Sequence, residues 1–273
     1  MIKKHIVHSH HRPFFVYPVS AWQKFYSLLL YPLLYVVVLF FVVKLLSHTG
    51  FSVSLPVSLS DIFMALFYTV SRIFIAYVLS LAVALPLALL ATSGPVAEKI
   101  FLPIFDILES VPTLAFFPIF IIFFVRGGFL NAAAIFILFI AMLWNIVFTL
   151  VGGLKIIPQD IKQAASVFKI SGWQYFKKVT LPAVFPQIVT GSILAVAQAW
   201  NIIIVAEVLH TYIPGGTKAE DLFGMGSVLV GASASGQNDL FIVAIFVMIL
   251  AIAFLNFFVW QKLLHYAQKF RFE

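Results

Sequence analysis

Ionisable and amide side chains inside long apolar runs are the residues through which this chain could do chemistry. Arg72 is the one charge in its run, and Glu207 lies near the end of a later run that also holds Gln198 and Asn201. Burying an ionisable group in lipid is costly, so such groups line a transport pathway or pair with one another. Arg72 is predicted to pair with a carboxylate on a neighbouring helix. Gln198 and Asn201 fit either pathway lining or hydrogen bonding between helices, and Glu207 fits either a pathway or a structural hydrogen bond.

Helix geometry separates these side chains into two groups. Gln198 and Asn201 lie three residues apart and therefore project from one face of a helix. Glu207 follows Asn201 by six residues, which corresponds to a rotation of about 240° and a rise of about 9 Å. We therefore predict that Gln198 and Asn201 face the pathway, while Arg72 and Glu207 are structural polar groups within the membrane.

No residue pattern of a known catalytic centre occurs in the chain. The phosphate-binding loop GxxxxGK[ST], the zinc motif HExxH and the nucleophile motif GxSxG are missing, and there is no cysteine. Four histidines cluster in the basic N-terminal arm without a carboxylate nearby, so the arm is predicted to be solvated beside anionic lipid. The prediction is a chain without catalytic residues, metal site or cofactor of its own, and therefore not an enzyme.

Composition indicates a membrane protein. Hydrophobic residues make up 63% of the 273 residues and charged residues only 10%, whereas soluble domains average about 25% charged residues. A net charge of +7 is then explained by a membrane surface, and no nucleic-acid partner is predicted. The predicted fold class is an all-α polytopic membrane protein.

Hydropathy predicts about six transmembrane helices, at 28–46, 62–91, 100–125, 129–151, 188–209 and 239–264. The third contains Pro103, Pro112 and Pro118 together with Asp106 and Glu109, so it is predicted to be a broken or kinked helix that lines a cavity. The stretch between the last two spans is polar and rich in glycine and is predicted to be a loop.

Lysine and arginine are distributed unequally between the two sides of this topology. Thirteen lie on the side of the termini and of residues 158–187, and three lie on the other side. The positive-inside rule therefore predicts a multi-pass protein of the plasma (inner) membrane with both termini in the cytoplasm. The predicted units are a cytoplasmic arm, a first span, a membrane core with a cytoplasmic loop, and a cytoplasmic tail, at 1–27, 28–46, 61–264 with its loop 152–187, and 265–273.

Residues 158–187 form a polar, basic island with four lysines and one acid. Apolar residues recur there at helical spacing up to Phe168, and they resume at Trp173 after the Ser171–Gly172 interruption. Leu181–Pro182 is predicted to end the second helix, because proline cannot continue a helix without losing a backbone hydrogen bond. Two amphipathic faces predict a helix–turn–helix outside the membrane that docks a partner.

The island resembles the cytoplasmic "EAA" loop of permease subunits of binding-protein-dependent ABC importers. That loop reads Glu-Ala-Ala, three residues, Gly and a downstream Leu-Pro, and it docks in a groove of the ATPase subunit. In this chain Gln163 replaces the glutamate, and Lys169 stands where the glycine usually lies, with Gly172 three residues later. The resemblance implies the following residues for ATPase coupling: Gln163, Ala164, Ala165, Phe168, Lys169, Gly172, Leu181 and Pro182.

Segments 108–124 and 197–211 resemble the nitrate, sulfonate, taurine and bicarbonate branch of these permeases. Segments 170–191 and 200–208 are similar to an anion-transport permease usually found as two fused halves, of which this chain has the length of one. The resemblance implies the type I importer permease fold. It also implies a translocation pathway lined by Glu109, Pro112, Thr113, Asn145, Gln198 and Asn201.

The leading functional hypothesis is the translocation subunit of an ATP-driven importer for a small anion of the nitrate, sulfonate, taurine or bicarbonate type. The implied partners are cytoplasmic ATPase subunits that bind ATP and Mg, a second permease copy or related chain, an extracytoplasmic solute-binding protein and the lipid membrane. The alternative is a secondary transporter or channel without an ATPase, which predicts internal repeats and charged relays but no docking loop. A structural membrane scaffold would leave the helix–turn–helix unexplained.

Overall fold

Helices form all the regular structure of the described part of the chain, which in this computed structural model comprises residues 58–124, 127–212, 216 and 221–270. The predictions for the arm 1–27, the first span 28–46 and the last three residues lie outside it. The helices are α1 Leu59–Ala91, α2 Pro95–Ser110, α3 Phe117–Phe124, α4 Leu130–Ile156, α5 Gln159–Val167, α6 Gly172–Glu207, α7 Met225–Ala234 and α8 Asn238–Phe270.

Four of the described helices are long and apolar enough to cross a membrane, namely α1, α4, α6 and α8. Helix α4 packs between α1 and α6, and 56% of its most apolar stretch is buried in the protein. Only 6% of the corresponding stretch of α8 is buried, so α8 lies at the periphery with its apolar surface free for lipid. The prediction of an all-α polytopic membrane protein is confirmed.

The third predicted span is a broken helix, as its prolines indicated. Helix α2 ends at Ser110, a 3₁₀ turn covers Thr113–Phe116, and α3 follows directly. Val111 is extended, with φ −73° and ψ 122°, because the ring of the following Pro112 disfavours helical backbone before it. The break leaves Glu109 and Pro112 exposed at the junction.

The second helix of the island does not end at Leu181–Pro182, so that prediction is wrong. Residues 172–175 are helical, Phe176–Thr180 form a π-helical turn, and the helix then runs on through Pro182 and Pro186 to Glu207. The Leu181 N–H donates to the Phe176 carbonyl, five residues back. This wider turn accommodates the proline ring that a regular α-turn would push against a carbonyl.

Three further helices differ from the predictions made for them. Helix α8 continues to Phe270, beyond the predicted end of the sixth span at 264 and into the predicted tail. Helix α4 continues to Ile156, about one and a half turns beyond the predicted end of the fourth span. The predicted loop between the last two spans contains α7. Its sequence is rich in small residues and lacks the apolar periodicity that marks a helix, and it is helical because it packs against α1, α6 and α8.

Small residues allow α4 and α6 to approach each other closely. A Cβ added to Gly191 of α6 would collide with the Thr149 side chain of α4. A Cβ on Gly153 of α4 would lie 2.7 Å from Gln187 of α6. Such close approach is the usual source of packing energy between membrane helices, where lipid removes the hydrophobic driving force.

Candidate functional site

A buried ion pair joins the first described helix to the end of α6. Arg72 Nη1 lies 2.7 Å from Glu207 Oε1, and the two side chains are 7% and 0% exposed. Thr69, one turn before Arg72, donates its hydroxyl to the same carboxylate oxygen at 2.7 Å. The sequence predicted that Arg72 pairs with a carboxylate but did not identify which one. In the structure that carboxylate is Glu207.

Glu207 also accepts a hydrogen bond from the first turn of α7. The Gly226 N–H donates to Glu207 Oε2 at 2.7 Å, and the Met225 N–H donates to Thr69 Oγ1 at 2.9 Å. Two otherwise unpaired amides of the first turn of α7 are thus satisfied by side chains of other helices, at the positive end of the helix dipole. A Cβ at Gly224 would run into the Glu207 carboxylate, so a glycine is needed for this close approach.

Arg72 donates two further hydrogen bonds to other parts of the fold. Its Nη1 donates to the Phe223 carbonyl at 3.1 Å, and its Nε donates to Asn131 Oδ1 at 2.9 Å. The guanidinium therefore contacts α4, α6 and the segment before α7 as well as its own helix. A buried ion pair compensates its desolvation only with the help of further hydrogen bonds, and here both Glu207 oxygens and the Nε and Nη1 groups of Arg72 are bonded.

Sequence reasoning missed the partners of this polar cluster, which we define as Thr69, Arg72, Asn131, Glu207 and Gly226. Thr69 gave one signal, because it lies one turn before Arg72 on the same helix face. Asn131 stands as a lone amide at the start of an apolar run, which is a weaker signal. Nothing in the sequence pointed to Gly226, because its role depends on a contact with Glu207, which lies 19 residues away along the chain.

Another face of α6 carries an exposed stripe, which we name the α6 stripe; it comprises Thr190, Leu194, Ala197, Gln198, Asn201 and Ile204. Their spacing of three and four residues keeps them on one helix face. Gln198 and Asn201 thus share an exposed face, whereas Glu207 is buried on another, which is the separation that the helix geometry predicts. No side chain of the α6 stripe is charged.

The other predicted pathway residues lie on α4 and at the α2 break. Asn145 is half-buried on α4, and its Nδ2 donates to the Ala141 carbonyl at 3.3 Å. Thr113 is half-buried in the 3₁₀ turn, which packs against α4. Helix α4 also packs against α6. It therefore links the break after α2 to the helix that carries the α6 stripe.

Residues 158–180 fold as two helices joined by a tight turn, and we call this segment the docking loop. Helix α5 ends in a Schellman motif: the Ile170 N–H donates to the Ala165 carbonyl at 2.9 Å and the Lys169 N–H to the Ser166 carbonyl at 3.0 Å. Lys169 takes the left-handed conformation of this motif, with φ 53°. This is the position at which the resemblance placed a glycine, and glycine adopts that conformation at least cost.

The docking loop exposes a cluster of large apolar side chains. Val167, Phe168 and Trp173 are 77%, 75% and 73% exposed, and Trp173 stacks on Phe176 at 5.1 Å. Gln163 and Ala164 are exposed beside them, and Gly172 is exposed with a φ of +56°. Ala165 is 4% exposed, so it packs inside the loop and does not belong to the exposed face.

Residues 84–265 match the family of binding-protein-dependent transport system inner membrane components. The chain belongs to this family. Its helical architecture is the type I importer permease fold, and the family is one of transport components rather than enzymes. Both the docking loop and the α6 stripe lie within the matched residues, whereas Thr69 and Arg72 precede them.

Named relatives within this family are permeases for small solutes. The chain is 34% identical over 177 residues to the nitrate import permease protein NrtB of Leptolyngbya laminosa, covering 65% of this chain and 59% of that one. It is 33% identical over 147 residues to the bicarbonate transport system permease protein CmpB of Synechocystis sp., covering 54% and 51%. The matches thus span between half and three-fifths of these permeases.

Proposed function

We propose that this chain is the translocation subunit of an ATP-driven importer for a small anion of the nitrate or bicarbonate type. The observation that carries the proposal is the continuity of α6, which begins in the docking loop at Gly172 and ends at Glu207. The same continuous helix bears exposed docking residues at one end and the α6 stripe further along. Family membership supports an ATPase on the docking loop and a solute-binding protein as partners.

The docking loop supplies a surface for the ATPase, which would bind ATP and Mg while this chain binds neither. Three large apolar side chains at about three-quarters exposure form the kind of patch that marks a protein interface. Gln198 is 26 residues beyond Gly172, or about 39 Å along a helix. Movement of the docked end is therefore transmitted along α6 to the α6 stripe without an intervening loop.

The α6 stripe supplies neutral hydrogen-bond donors for the anion. The amide groups of Gln198 and Asn201 can each donate to an oxyanion, and neither carries a charge that would hold the anion too tightly for release. Arg72 is poorly placed for this role, because its side chain is only 7% exposed and is paired with the buried Glu207 carboxylate. A second permease chain would close the pathway opposite the α6 stripe.

Reconstitution tests the ATP dependence that the proposal requires. The chain would be placed in proteoliposomes with a candidate ATPase and a candidate solute-binding protein from the same organism, and uptake of labelled nitrate and bicarbonate measured with and without ATP. We expect uptake only when ATP, ATPase and binding protein are all present. Uptake by the chain alone, driven by an ion gradient, would instead identify a secondary transporter.

The proposal also places the docking loop in the cytoplasm. Because the chain contains no cysteine, single cysteines introduced at Gln174 and at Ser233 report their side directly. Both positions are exposed. In intact cells a membrane-impermeant maleimide should label the Ser233→Cys variant and spare Gln174→Cys until the membrane is broken. The reverse pattern would contradict both the orientation and the docking role.

A further inference from the structure

A cleft of about 340 Å³ separates the docking loop from the end of α8. Apolar side chains of both elements line it, including Val179 and Ala183 of α6 and Phe270 of α8. Ile161 of α5 also contributes to the lining, so the cleft borders both helices of the docking loop. The cleft therefore offers an apolar surface at the junction of three elements.

Two lysines and no acidic residue complete the lining of this cleft. Lys178 reaches it from the docking loop and Lys269 from the end of α8, and both side chains are exposed. Neither lysine forms a salt bridge within the described residues. Lys269 Nζ lies 5.2 Å from the centroid of the Tyr266 ring, a cation–π contact that orients it. The cleft thus combines an apolar lining with two lysines that have no acidic partner among the residues the structure describes.

Both walls of the cleft are held in place by aromatic packing. The ring of Phe185 on α6 meets Tyr266 and Phe270 of α8 edge to face, at centroid distances of 5.7 and 5.5 Å. Tyr266 and Phe270 also contact each other at 5.5 Å. This cluster fixes the end of α8 against α6, so the spacing of the two walls is set by the fold rather than by the lysines.

The position of the cleft along α6 matches the edge of a bilayer. Pro182 lines the cleft, and Glu207, which ends α6, follows it by 25 positions. That separation corresponds to about 38 Å, close to the thickness of a membrane with its headgroups. Tyr266 is 49% exposed beside the cleft, and tyrosine is enriched at the level of lipid headgroups. A lipid is therefore better placed to enter than a soluble partner.

We propose that this cleft binds the headgroup of an anionic phospholipid. Its phosphate would lie between Lys178 and Lys269, and its glycerol and first acyl carbons would contact the apolar lining. Because the cleft borders the docking loop, the bound lipid would brace that loop against α8. The site involves neither the α6 stripe nor the transported anion, so it stands independently of the proposed substrate.

Lipid retention by the purified full-length chain tests this site. Native mass spectrometry would count phosphatidylglycerol and phosphatidylcholine molecules that stay bound after equal amounts of each are added. The wild-type chain should retain phosphatidylglycerol in preference. The double variant Lys178→Gln/Lys269→Gln should lose that preference by about tenfold, while Lys178→Arg/Lys269→Arg should keep it, because the charge pair is preserved.

Lys262→Gln is the matched control, because Lys262 is an exposed lysine of α8 that lies over the Phe258 ring at 5.7 Å and does not line the cleft. It should retain phosphatidylglycerol as the wild type does. Unchanged retention in the glutamine double variant, with its thermal transition intact, overturns the proposal. So does displacement of the lipid by millimolar inorganic phosphate, which would identify a site for free anions instead.

Discussion

Glu207 receives Arg72 on one carboxylate oxygen and the backbone N–H of Gly226 on the other, both at 2.7 Å, with its side chain fully buried. This carboxylate therefore holds together the end of α6, the middle of α1 and the first turn of α7. The contact explains why an acid sits in an apolar helix without lining the exposed face of that helix.

Removing one partner of this pair should destabilise the permease strongly. Glu207→Ala leaves Arg72 buried without its counter-charge, and such losses cost about 3–5 kcal/mol. We expect low expression and a lower thermal transition of the solubilised protein, measured by size-exclusion chromatography after heating. Arg72→Met combined with Glu207→Met should be less harmful than Glu207→Ala, because it leaves no unpaired charge.

The exposed pair of Lys155 and Glu98 provides the control for this experiment. Its atoms are 2.5 Å apart, yet both side chains are more than 40% exposed. Surface pairs contribute about 0–1 kcal/mol, so Glu98→Gln should leave the thermal transition nearly unchanged. If the Glu207→Ala variant assembles fully but does not transport, Glu207 belongs to the pathway, and the prediction that its role is structural is wrong.

Gly224→Ala should disturb the same site from the other side. Its new Cβ would meet the Glu207 carboxylate, which cannot move without losing the bond to Arg72. We expect a lower thermal transition than the wild type. Gly231→Ala is the matched variant, because it lies in the same segment with nothing within 4 Å of the added Cβ. Helical alanine at that position should be neutral or slightly stabilising.

The sequence predicted most of the spans because their apolar composition decides their structure locally. It missed α7, which is helical through packing against other helices, and it ended the island helix at Pro182, which a π-turn accommodates. The prediction that Asn201 and Glu207 lie on different helix faces was correct, because helix geometry alone determines the angle between them. The partners Asn131 and Gly226 are long-range contacts, and no local pattern in a single sequence encodes them.

Lys169→Gly should stabilise the turn of the docking loop. Lys169 has a φ of 53° in the Schellman motif, where a residue with a Cβ costs about 1 kcal/mol more than glycine. We expect the amide of Ile170, which closes the motif, to exchange its hydrogen about fivefold more slowly. Lys169→Ala removes the charge but keeps the strain, and it should not slow the exchange. Equal slowing in both variants would assign the effect to charge.

Neighbouring alanines of the docking loop should respond differently to the same change. Ala164 is exposed beside Phe168, so Ala164→Leu should obstruct the ATPase and reduce its recovery with the tagged permease. Ala165 is buried, so Ala165→Leu should overpack the loop and lower the stability of the permease itself. Both are measured by ATPase pull-down and by thermal transition. Full ATPase recovery and normal transport with Ala164→Leu would remove this face from the interface.

Asn201→Leu tests the pathway role of the α6 stripe. Leucine has the same branched shape and the same number of side-chain heavy atoms as asparagine, and Asn201 is exposed, so the fold should accept it. It removes the amide that we propose donates to the anion, and uptake per assembled complex should fall at least tenfold. Ile204→Leu changes the shape of the same exposed face without changing its polarity, and it should transport normally. If Asn201→Leu transports as well as Ile204→Leu, hydrogen bonding from Asn201 is not part of the pathway, and the anion must be recognised elsewhere.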